Sequence, residues 1–68
     1  MTLVCVASNL TPEQQKSLVS VLEAMDFSPT TKEGAVKLEY SGVFDHQALA
    51  AITAFEEFSQ ARTILFSN

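Results

Sequence analysis

The chain has 68 residues, a formal net charge of −4 at pH 7, 47% hydrophobic residues and one cysteine. That length makes one domain with no room for a second, and it buries only about 60% of the unfolded surface, so the stability margin is thin. The composition excludes a disordered tail, the acidic balance opposes non-specific binding to a phosphate backbone, and a lone cysteine excludes a disulfide-stapled scaffold.

Leu3-Val4-Cys5-Val6-Ala7 is apolar on both sides of the pleat, which predicts a strand in the middle of a sheet. Ser8-Asn9-Leu10 turns the chain. Thr11-Pro12-Glu13-Gln14 then opens a helix, with Thr11 as N-cap, Pro12 at the first helical position and Gln14 closing a capping box. Leu18, Val21, Leu22 and Met25 recur at helical spacing as the buried stripe, and the helix is expected to end near Asp26. Phe27 to Lys32 reads as a weak strand that Pro29 confines to an edge, and Lys32-Glu33-Gly34 as a hairpin turn.

Ala35 to Tyr40 alternates cleanly, with Val36, Leu38 and Tyr40 on one face and Lys37 and Glu39 on the other, so one face of the sheet is open to water. Ser41-Gly42 breaks that strand. Asp45 is the predicted cap of a second helix, with Phe44 packing on Leu49 as a hydrophobic staple. Its inner face is expected to hold Ala48, Leu49, Ile52, Phe55 and Phe58 or Ser59. Thr63-Ile64-Leu65-Phe66 closes the chain as a last strand. The expected core is Leu3, Leu18, Leu22, Val36, Leu38, Leu49, Ile52 and Phe55.

The order strand, helix, strand, strand, helix, strand predicts an α+β fold. It resembles the ferredoxin-like βαββαβ two-layer sandwich: two helices on one face of a four-stranded antiparallel sheet, the first and third strands central. Such a likeness carries no function by itself. Heavy-metal-binding domains of this layout place a Cys-x-x-Cys after the first strand, where this chain has Ser8-Asn9-Leu10. RNA-recognition modules put aromatics on the open face, where Lys37 and Glu39 stand. Acylphosphatases need an arginine in the first loop and small tautomerases an N-terminal proline; neither is present. Regulatory amino-acid-binding domains favour a glycine where this chain has Asn9.

Little remains for catalysis. Cys5 reads as a small buried hydrophobe and His46 as a solvated residue in the first turn of a helix. Glu56 and Glu57, adjacent on a helix, point about 100° apart and do not converge. No enzyme, cofactor or metal is expected. With no leader-like segment and no run of about 18 apolar residues, neither a signal peptide nor a membrane span is expected, and the chain reads as cytoplasmic.

The anomaly is apolar surface. With Leu3, Cys5 and Ala7 facing the helices, Val4 and Val6 are expected on the open face, rimmed by Lys37 and Glu39. The reverse assignment leaves an apolar trio outside as well. Either Leu65 with Thr63, or Ile64 and Phe66, joins from the last strand, whose edge carries no proline and no internal charge. Val4, Val6, Lys37, Glu39, Thr63 and Leu65 are the expected partner-binding residues. The expected function is a small non-enzymatic regulator or inhibitor that occupies a partner protein's surface, similar in type to anti-defence proteins of phages and mobile elements. A homodimer is expected through the same side, with no direct nucleic-acid contact and no membrane. The alternative is a small-molecule-sensing regulatory domain that dimerises.

Overall fold

The computed structural model describes residues 1–67. The chain runs β1 (Thr2–Ala7), α1 (Pro12–Ala24), β2 (Thr30–Lys32), β3 (Ala35–Ser41), α2 (His46–Phe58) and β4 (Arg62–Ser67). The sheet order is β2-β3-β1-β4 with every neighbouring pair antiparallel, and both helices lie on one face. This is the ferredoxin-like α+β sandwich, with β1 and β3 in the centre and β2 and β4 at the edges.

Local chemistry sets the ends of each helix. Thr11 Oγ1 accepts from the Gln14 amide at 3.1 Å, while Gln14 Oε1 accepts from the Thr11 amide at 3.0 Å, completing the capping box. At the other end Asp26 takes a left-handed φ of 65°. The Asp26 amide donates to the Glu23 carbonyl and the Phe27 amide to the Leu22 carbonyl, both at 3.0 Å. That is a Schellman stop, built on aspartate, which tolerates this backbone region better than most residues. Asp45 caps α2, accepting from the Gln47 and Ala48 amides at 3.1 Å each.

Leu3, Cys5 and Ala7 of β1 are fully buried against the helices, together with Leu18, Leu22, Val36, Ala48, Ala51 and Phe55. Val4 and Val6 therefore face the open side, as the first strand's pattern allowed.

Three expectations change. The strand expected from Phe27 is shorter: β2 begins at Thr30, and Phe27 instead sets its ring edge-on to Tyr40, centroids 5.7 Å apart. Leu49, expected in the core, is 51% exposed, Ile52 is only half-buried, and Val21 also reaches solvent. The buried face of α2 is Ala48, Ala51, Ala54 and Phe55. Residues 48, 51, 54 and 55 share one helix face, three small alanines beside the fully buried Phe55, and Leu49 is turned about 100° from Ala48. Finally Phe44, expected to pack on Leu49, has its ring centroid 5.8 Å from that of Phe66. Among the described residues, no helix is long and apolar enough to cross a membrane.

Candidate protein-binding face

The face of the sheet away from the helices is built by alternate residues of the four strands. Register places them in rows. Val4 stands between Glu39 and Leu65, and Val6 between Lys37 and Thr63. The six residues expected to bind a partner are thus one contiguous block, two rows deep across β3, β1 and β4. Val4 and Val6 are half-buried by their neighbours, whereas Leu65 is 58% exposed.

Lys37 and Glu39 form an exposed ion pair at 3.1 Å along one side of the block. Such a pair adds little to stability, but it leaves the apolar centre with a defined polar rim. Next to it lies a shallow groove of about 160 Å³ over Ala35, walled by Val6, Thr30, Lys32 and Lys37. Lys32, Lys37 and Glu39 give this face a net charge of +1, leaving −5 for the rest of a chain whose total is −4. The acidic character lies on the helix layer and in the loops, and the open face is its mildly basic, apolar counterpart.

β4 adds an edge. The Ser8 amide donates to the Ala61 carbonyl at 2.8 Å, which fixes the phase of the β1–β4 ladder. Hydrogen-bonded and non-bonded pairs alternate in an antiparallel ladder. Thr63, Leu65 and Ser67 therefore turn their backbone groups inward to β1, while Arg62, Ile64 and Phe66 turn theirs outward. β2, three residues long, presents outward only Thr31 by the same rule.

The structure also shows an apolar corner that sequence reasoning missed. Val43 is 72% exposed, and the paired rings of Phe44 and Phe66 are each 54% exposed, on the helix side of the β4 edge. The one signal available was the apolar Val43-Phe44 dipeptide inside a turn.

The candidate catalytic residues are not brought together. Cys5 lies wholly inside, where burial pushes its thiol up to about 11, far from a reactive thiolate. His46 is exposed at the start of α2, and among the described residues no group of three metal-ligating side chains exists. A cleft of about 470 Å³ lies between the Ser8–Leu10 loop and the Ser59–Ala61 loop. Its hydroxyls are already engaged: Ser8 Oγ and Ser59 Oγ both donate to the Ala61 carbonyl at 3.2 Å.

The architecture and the site define a ferredoxin-like domain with an uncovered sheet face. Compared with family models, with curated proteins and with solved structures, the chain has no match.

Proposed function

We propose that the chain is a non-enzymatic regulator or inhibitor that acts by laying its open sheet face on a partner protein. One observation supports this above the others: Val4, Val6, Thr63 and Leu65 form a continuous uncovered surface beside the Lys37–Glu39 pair. Apolar centres with polar rims are the anatomy of protein interfaces. The excess positive charge of this face favours a partner whose contact surface is apolar with a few carboxylates, so that Lys32 and Lys37 meet them at the rim.

The test is affinity capture from cells with wild-type protein and with a folded Val4→Glu variant, followed by direct binding to the purified captured protein. Binding by wild type and its loss in Val4→Glu supports the proposal. Equal binding by both proteins overturns it.

A second reading, a small-molecule sensor, draws on the loop cleft, where the side chains of Asn9 and Gln60 stand beside the engaged Ser8 and Ser59 hydroxyls. A thermal-shift screen with amino acids and nucleotides decides between them. A shift lost on Asn9→Ala and kept on Val4→Glu favours the sensor.

A further inference from the structure

We propose that a second copy of this chain adds to the β4 edge, pairing β4 with β4 about a two-fold axis through Ile64. This concerns the strand edge and its backbone, and it stands apart from whatever covers the open face.

Hydrogen bonding comes first. Arg62, Ile64 and Phe66 present outward amides and carbonyls on a six-residue strand with no proline. Water satisfies such a row group by group, and another extended strand satisfies it as a whole. An antiparallel copy centred on Ile64 places Ile64 opposite Ile64 of the second copy and Arg62 opposite its Phe66, making about six hydrogen bonds. Centring on Leu65 leaves Arg62 without a described partner, so the Ile64 register uses the edge more fully. The opposite edge cannot compete, because β2 offers one outward residue.

Charge then favours a self-contact at this place. A chain of net charge −4 repels its own copy over most approaches. β4 contains no carboxylate; its one charged side chain is Arg62, which holds Glu56 at 3.8 Å within its own chain and donates to the Ser59 carbonyl at 2.8 Å. Two β4 edges meet with neither acidic residues nor an uncompensated cation between them.

The side chains fit on both faces. A two-fold axis perpendicular to the sheet keeps both helix layers on one side and joins the open faces on the other. Leu65 then lies beside Thr63 of the second copy, while Val4, one strand further in, stays clear of the contact. On the helix side the exposed Phe66 ring, backed by Phe44, stands opposite Arg62 of the second copy, where the methylene stem of the arginine covers apolar surface. The contact is small and belongs at the weak end of specific interfaces.

The experiment is amide exchange by NMR on wild-type protein at about 20 µM and about 1 mM, a span that brackets the affinity of a small edge contact. The Ile64 and Phe66 amides gain several-fold protection at the higher concentration, while the Thr63 and Leu65 amides, already bonded to β1, do not change. Sedimentation shows dimer over the same range. Phe66→Pro, which removes an outward amide and none that faces β1, abolishes both effects; Val4→Glu leaves them intact even where it ends partner binding. Free exchange at Ile64 and Phe66 at the higher concentration, with a monomer in the centrifuge, overturns the proposal without touching the function assigned to the open face. Concentration-dependent protection at Thr31 in place of Ile64 overturns it equally.

Discussion

The Tyr40 hydroxyl donates to the Asp45 carboxylate, 3.1 Å from Oδ2, and so ties the end of β3 to the cap of α2. The same carboxylate accepts the Ala48 and Gln47 amides. The Ala48 amide is the chief cause holding the Asp45 carboxyl below its ordinary 3.8; partial desolvation opposes it, and Tyr40 and Gln47 add to the lowering. Desolvation first, then Asp45, pushes the Tyr40 phenol above its ordinary 10.0.

The signs give a pH window. A lowered Asp45 contributes stability that is present above its unfolded value and lost as pH falls through the folded one, below about 4. A raised Tyr40 contributes stability that is full below about 10 and lost as pH rises through its folded value. Tyr40→Phe should therefore melt lower than wild type near neutrality, with the gap narrowing at both extremes. Thermal melts across pH are the measurement. A gap that stays constant from acid to alkali would show that the hydroxyl acts through packing alone.

Leu38 is 2% exposed and Leu49 is 51% exposed, though both stand at apolar positions in the sequence. Leu38→Ala should cost about 2–5 kcal/mol in urea unfolding. Leu49→Ala should change stability by no more than about 0.5 kcal/mol, because alanine is the better helix former and little packing is lost. Comparable losses in the two variants would mean that α2 is rotated from its assigned position.

This contrast shows how far the sequence could be read. In a strand the period of two leaves only two assignments. Val36 and Leu38 follow from their alternation with Lys37 and Glu39. By contrast β1 is apolar on both sides, and its pairing with β3 decides that Leu3, Cys5 and Ala7 are the buried set. A helix offers many rotations, and hydrophobic size ranks Leu49 above Ala51. What decides is how closely α2 must approach the sheet, a tertiary distance that no local pattern contains. The open-face block was partly legible: Lys37 and Glu39 follow from alternation, and Val4 and Val6 follow only once Leu3, Cys5 and Ala7 are placed against the helices. Whether Leu65 or Ile64 joins them depends on the register between β1 and β4, the first and last strands of the chain. The Phe44–Phe66 pair depends on that register too.

Cys5 should behave as a core atom with no chemistry. Its thiol, buried and pushed up to about 11, should resist alkylation in the native protein and react at once when the chain is unfolded. Cys5→Ala should keep partner binding and lose about 1 kcal/mol, the scale of a small buried group. Rapid native labelling, measured by intact mass at neutral pH, would place Cys5 outside the core.

The last prediction concerns Gln15, whose side chain holds the β2–β3 turn against α1. Its Nε2 donates to the Lys32 carbonyl at 2.8 Å, and its Oε1 accepts from the Gly34 amide at 3.1 Å. The Gly34 carbonyl in turn accepts from the Leu10 amide at 3.0 Å, and Gly34 has a φ of 73° that a side chain would strain. One amide thus anchors a turn whose strand, β2, is short and exposed. Gln15→Ala should cost about 1 kcal/mol, since both backbone groups can turn to water. Gln15→Glu keeps the acceptor for Gly34 but sets a carboxylate against the Lys32 carbonyl, so at neutral pH it should be the worse of the two. Below about pH 4 the protonated glutamic acid regains a donor, and its deficit should shrink. Amide exchange at Gly34, followed beside thermal melts of both variants, reports the clamp directly. Unchanged Gly34 protection in Gln15→Ala would mean that the Leu10 bond alone holds the turn.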